Sequence, residues 1–192
     1  MFVYVAAFKT SRSILFILAA FTLTAFFGCS NPLVSDAELD AHSRTVTDNE
    51  AASALQHAQD QEGKPYEWAG NGPDTYDCSG LIVWSYQQAI GESRIFRWED
   101  QWVSDVTMDS MYLYGTYPVS TEDFQPGDIV FITSSKDRIT HGGLFVRWIN
   151  EGELEFINAS SYFETVAVDT WPTDGEKRGQ WYVGAGRLVV PE

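Results

Sequence analysis

Asp77-Cys78-Ser79-Gly80, running into Leu81-Ile82-Val83-Trp84-Ser85-Tyr86-Gln87-Gln88-Ala89-Ile90 and closed by Gly91, is the stretch on which the reading of this chain turns. A turn-rich run, Gly70-Asn71-Gly72-Pro73-Asp74-Thr75-Tyr76, precedes it, and the apolar-rich residues up to Gly91 have the length of a short globular helix. Cys78 therefore falls on the first turn of a helix. There the dipole and the unsatisfied N–H groups stabilise thiolate over thiol, and thiolate is the species that attacks carbonyls. The same N–H groups can receive an oxyanion. A free cysteine is more often a small buried hydrophobe, so Cys78 acquires meaning only from its surroundings.

On the N-terminal side, Thr47-Asp48-Asn49-Glu50 has the form of a capping box, and Ala51 to Ala58 continue as a helix that Gly63-Lys64-Pro65 stops. On the C-terminal side, residues 92–124 mix aromatics and acids with no clear period. The pattern then changes. Asp128–Ile132, Gly143–Ile149, Leu154–Ile157, Thr165–Val168 and Gly186–Val190 are short β-prone runs separated by turn clusters such as Ser134-Ser135-Lys136-Asp137 and Asn150-Glu151-Gly152. Helices first and a meander of about five strands second predict one α+β domain over residues 48–192.

The chain's 192 residues begin with a segment of different character. Lys9 and Arg12 give a basic start, and residues 13–27 are apolar and uncharged, shorter than a comfortable membrane span and typical of a secretory leader. Ala25-Phe26-Phe27-Gly28-Cys29, followed by Ser30-Asn31-Pro32, is similar to a bacterial lipobox, with Phe26 where Leu is usual. The expected organisation is thus a signal peptide at 1–28, a lipidated tether at 29–47 starting from an acylated Cys29, and the domain at 48–192. A flexible coil of about 15 residues reaches only ~20–25 Å, which would keep the domain near the membrane. An exported lipoprotein is expected, on the cell surface or the periplasmic side of an outer membrane. With Cys29 acylated, Cys78 has no disulfide partner, and an oxidation-prone lone thiol suggests catalytic use.

Net charge is −15, and it becomes −17 over residues 29–192, where 10 basic residues face 27 acidic ones. Such a field disfavours nucleic acid and anionic surfaces, so neither is expected as a partner. A monomer is expected, held to the membrane by its lipid.

A cysteine nucleophile needs a base, and the base needs an orienting acceptor. His42 lies in the expected tether, and His57 sits among helix alanines as a surface or packing residue. His141 starts a strand and is followed by Gly142-Gly143, which leave room for a close neighbour. Asn158 ends the next strand, one turn later, where antiparallel pairing can set it beside His141. Alone, His141 would be an ordinary strand-start histidine and Asn158 a turn former. No HExxH, histidine cluster or spare cysteine implies a metal, and no cofactor is expected.

Five blocks in order carry a resemblance: Pro65-Tyr66-Glu67-Trp68-Ala69-Gly70, Asp77-Cys78-Ser79-Gly80, Gln125-Pro126-Gly127-Asp128-Ile129-Val130-Phe131, His141-Gly142-Gly143-Leu144-Phe145-Val146 and Phe156-Ile157-Asn158-Ala159-Ser160. Together they resemble the NlpC/P60 family of bacterial cell-wall cysteine peptidases. The resemblance implies a papain-like α+β core, with the nucleophile helix packed on an antiparallel sheet. It implies hydrolysis of peptidoglycan stem peptides at the γ-D-glutamyl bond to a diamino acid. By position it assigns Cys78 as nucleophile, His141 as base and Asn158 as third polar residue. It puts Tyr66 near the oxyanion, and Asp77 and Ser79 where some members hold the amino end of the substrate. Three departures stand out. The third residue is commonly His, Val usually follows the base, and the Pro-Arg segment after the nucleophile helix is not matched by Ile95 to Gln101. An amidase or acyltransferase of the wider superfamily, and a non-catalytic wall-binding lipoprotein, are the rival readings.

Overall fold

The computed structural model describes residues 42–192, so the expected leader, Cys29 and the tether up to residue 41 lie outside the described residues. The fold begins before Asp48. Strand β1 (Ser43–Thr45) pairs antiparallel with the chain end, Ser43 opposite Pro191 and Thr45 opposite Val189. Residues 43–45, expected as tether, thus belong to the sheet, and Val46 and Thr47 lead straight into α1; a three-residue edge strand is too short for an alternating pattern to register in sequence. The capping box forms as expected at the start of α1 (Asp48–Gln59), with Thr47 and Glu50 bonded reciprocally. Arg44 grips the same carboxylate with two 2.8 Å hydrogen bonds, which pull Glu50 down to about 2 and lock β1 to α1.

Helix α2 (Cys78–Ile90) spans the expected stretch, N-capped by Asp77 and ended by Gly91 in the left-handed conformation. The unparsed segment resolves into a small hairpin, β2 (Phe96–Trp98) with β3 (Gln101–Val103), then α3 (Met108–Ser110), a π-helical turn (Met111–Gly115) and β4 (Thr116–Val119). The five expected strands follow, the first shifted by one residue and the others longer: β5 (Ile129–Thr133), β6 (His141–Asn150), β7 (Glu153–Ser160), β8 (Thr165–Pro172) and, after the short β9 (Glu176–Lys177), β10 (Gln180–Pro191). Among the described residues the main sheet has eight strands, in the order β1-β10-β5-β6-β7-β8, with β4 and β9 also on β10.

Alternation decides which side of the sheet each residue serves. Ile129 and Phe131 face a core shared with Leu81, Ile82 and Tyr86, which α2 brings down onto β6 and β7. Val130 and Ile132 point the other way, into a cluster of Phe145, Leu154, Phe156 and Trp171. One ion pair ties two neighbouring strands of the sheet. Buried Asp128 receives both Nε and Nη2 of Arg187 at 3.0 Å, joining the start of β5 to β10.

Candidate active site

The N-terminus of α2 is built around Asp77. Its Oδ1 accepts from Gly80 N–H at 2.7 Å and from Ser79 Oγ at 2.8 Å, and its Oδ2 accepts from Ala69 N–H at 3.0 Å. The cap thus fastens the preceding loop to the helix and uses the Gly80 donor. The N–H groups of Cys78 and Ser79 remain, and these two act on the sulfur, each favouring its charged form. A Cβ on residue 80 would lie 2.0 Å from the Gly70 carbonyl oxygen, so the loop can approach only because that position is glycine. Burial works against the thiolate. It pushes the Cys78 thiol up to about 12, the neighbouring Asp77 charge adds to it, and the two N–H groups only moderate the rise. The helix-start effect expected from sequence is therefore present but outweighed by desolvation.

His141 opens β6, and its position is set from three sides. Asp109 Oδ1 accepts from Ile139 N–H at 2.7 Å, anchoring the loop that delivers the strand. A Cβ at residue 142 would lie 2.4 Å from Met108 Cε and 2.3 Å from the Val130 carbonyl oxygen, so Met108 occupies the space beside the histidine where the family usually has Val. At residue 143 a Cβ would meet the Ile157 carbonyl oxygen at 2.2 Å and Asn158 Cβ at 2.9 Å. The two glycines therefore let β5 and β7 close in, as the sequence suggested.

Asn158, 1 % exposed, meets the imidazole on the β7 side. His141 Nε2 and Asn158 Oδ1 are 3.1 Å apart, while Asn158 Nδ2 donates to the Ala167 carbonyl of β8 at 3.1 Å. With its amino group committed to Ala167, the amide turns oxygen toward the ring. Nε2 must then carry the proton, which leaves Nδ1 as the nitrogen able to take another. Burial lowers His141 to about 4, although the Asn158 hydrogen bond and the Asp169 charge favour its protonated form; Arg178 opposes it. At neutral pH both thiol and imidazole are uncharged.

Tyr66 reaches the same region because its loop is laid along β8. Gly63 N–H donates to Val166 O, Val166 N–H to Lys64 O, and Tyr66 N–H to Glu164 O. Burial raises the Tyr66 hydroxyl's pKa, and charges on Cys78 and Asp77 raise it further, so phenol and sulfur lie within electrostatic reach. A cleft of about 350 Å³ is lined by Tyr66, Trp68, His141, Ser160, Trp171 and Arg178, among others. A larger cavity of about 600 Å³, bounded by Tyr117, Phe124, Gln125 and Arg187, contains none of the candidate residues.

Cys78, Tyr66, Asp77 and Ser79 gather at the helix start, and His141 with Asn158 on the sheet beneath. His57 is elsewhere, edge-on to Trp84 at 6.0 Å between ring centroids, a packing residue as expected. Sequence reasoning missed Met108, Asp109, Asp169 and Arg178. For Arg178 there was a signal, since Arg178-Gly179 sits where a tight hairpin turn would ordinarily carry Asn-Gly.

A profile described as "NlpC/P60 family" matches residues 63–187. Murein DD-endopeptidase MepH of Escherichia coli (strain K12) is 30% identical over 156 residues, which cover 80% of this chain and 51% of that protein. The probable endopeptidase p60 of Listeria seeligeri is 34% identical over 135 residues, 70% of this chain and 21% of that one. NlpC1 from Trichomonas vaginalis has a similar structure, with a TM-score of 0.54 and 27% identity over 77% of this chain and 47% of its own. The matched region therefore spans about half or less of each of these relatives.

Proposed function

This chain belongs to the NlpC/P60 family, and on that premise we propose that it is a cysteine peptidase that hydrolyses peptidoglycan stem peptides. The observation that supports this most is the amide of Asn158, held by Ala167 and directed at His141 Nε2. It leaves Nδ1 as the base for a thiol at the start of α2. Cys78 Sγ attacks the scissile carbonyl as its proton passes to His141 Nδ1. The Cys78 and Ser79 N–H groups and the Tyr66 hydroxyl receive the oxyanion. Collapse expels the amine, which takes the proton back from His141, and leaves a thioester. Water then attacks the thioester, gives a proton to His141 and releases the acid, restoring the thiol. Because both groups start uncharged, proton transfer accompanies attack and no thiolate–imidazolium pair precedes it.

The bond proposed is the γ-D-glutamyl link to a diamino acid. Crosslinked peptides belong in the same assay, since one relative is named for a DD-endopeptidase. We place the enzyme outside the cytoplasm, as a monomer tethered by lipid on Cys29. Digestion of defined muropeptides with the full chain, followed by mass spectrometry, tests the reading. New free amino groups on the diamino acid are expected, and none with Cys78→Ser or Cys78→Ala. A freed lactyl-peptide would identify an amidase instead. No cleavage of any muropeptide would leave the wall-binding reading.

A further inference from the structure

The hairpin between β9 and β10 turns through two residues, Arg178 and Gly179, both at positive φ, 57° and 73°. That is the pattern of a type I′ turn, whose first position favours Asn, Asp or Gly. An arginine there costs backbone energy, so the side chain warrants a reason of its own. It is held with unusual care. Nη1 donates to Asp169 Oδ2 at 2.6 Å, and the guanidinium stacks over Tyr162, Phe163 and Trp171, at 4.1, 4.9 and 5.8 Å from the ring centroids. Among the described residues this is the guanidinium's one hydrogen bond, so Nε and Nη2 keep their donors.

The anchoring is electrostatic as well. Burial would raise the Asp169 carboxyl, but hydrogen bonds from Arg178 and Lys177 outweigh it and hold it below its ordinary value. Lys177 Nζ lies 3.1 Å from Oδ1 of the same carboxylate, so two cations share Asp169. Glu176 accepts from Gly179 N–H and keeps its own charge, so these four side chains balance. What Arg178 brings to the cleft that contains His141 is a guanidinium with donors to spare, not a surplus of charge. His141 feels the charges of Arg178 and Asp169, whereas Cys78 feels that of Asp77. Arg178 therefore stands on the histidine side of the site. In the mechanism above, on which this inference rests, the histidine hands its proton to the departing amine, so that side receives the leaving segment.

We propose that Arg178 is a carboxylate receptor for the leaving segment, reading a free carboxylate on the amino acid whose amine is released. A stacked, pre-oriented guanidinium with two open donors suits a planar carboxylate; an amide in its place loses the ion pairing and the bidentate fit, and lysine, with hydrogen at that position, offers no acceptor.

The test uses the full chain and three stem peptides that differ only in the leaving residue. One carries meso-diaminopimelate with its side-chain carboxylate free, one carries the same residue amidated, and one carries lysine. The wild type should prefer the carboxylate peptide in kcat/KM by about tenfold or more over either of the others. Arg178→Gln should bring the ratio to within about threefold, and Arg178→Lys should fall between, since the charge remains but the fork is lost. The peptide series on the wild type decides the matter even if Arg178→Gln folds poorly. Equal, efficient cleavage of all three peptides would overturn the assignment and leave the proposed function standing, as would a ratio unchanged in Arg178→Gln. Failure to cleave any of them would bring down the proposed function and this inference with it.

Discussion

Burial pushes the Cys78 thiol up to about 12 and lowers the His141 imidazole to about 4, so both groups are uncharged at neutral pH. Because burial disfavours imidazolium, His141 stays neutral until the pH falls through about 4, well below its ordinary 6.5. An NMR titration of the His141 ring should show that low midpoint. Alkylation of Cys78 by iodoacetamide should be slow at neutral pH and accelerate only in strong alkali. A midpoint near 6.5, or rapid alkylation at pH 7, would instead indicate a preformed ion pair. The shift also has a stability consequence. Between 6.5 and about 4 the unfolded chain takes up a proton that the folded one refuses at His141, so this residue's contribution to stability drops across that window and stays constant below it. Asn158→Ala should lower kcat/KM less than His141→Ala does, because an orienting group exchanges no proton. Asn158→His should keep substantial activity if acceptance from the ring is all that matters. Full inactivity in a folded Asn158→His would give the Ala167 hydrogen bond a larger share in positioning the ring.

At the scale of elements, the helix that begins at Cys78 and the preceding loop work as one unit. The Gly70 carbonyl oxygen lies where a Cβ on residue 80 would be, and the Asp77 carboxylate stitches the two together. Gly80→Ala should cost about 2 kcal/mol in a denaturant titration, as overpacking against backbone does. It should also cut activity at least tenfold by displacing Tyr66 and the Cys78 N–H groups; wild-type stability would show that the loop yields freely. A capping box at the start of α1 and a left-handed glycine at the end of α2 made those ends legible, because their signals are local. Residues 92–124 were not legible. Their work is to seat Met108 against Gly142 and Asp109 against Ile139 N–H. Partners thirty residues apart leave no mark in a local period.

Over the whole molecule, the buried Asp128–Arg187 pair bridges positions 59 residues apart in sequence. Asp128→Ala would leave Arg187 with a partly buried, unpaired charge and should cost about 3 kcal/mol, read as a lower denaturation midpoint with unchanged slope. Tethering is a separate question, since Cys29 lies outside the described residues. Cys29→Ser behind a cleavable leader should release a soluble enzyme that cuts small muropeptides at the normal rate but remodels the wall poorly in cells. Equal wall remodelling by the unanchored form would assign targeting to a surface of the domain instead. What the sequence determined by itself is whatever is written in neighbouring residues: helix caps, the alternation of five strands, and a cysteine at a helix start with His141 and Asn158 one hairpin apart. Tertiary structure alone decided the ionisation of Cys78 and His141, the direction of the Asn158 amide, the inclusion of residues 43–45 in the sheet, and the place of Arg178 in the cleft. Each depends on which distant groups exclude water or approach within hydrogen-bond reach, and chain order does not encode that distance.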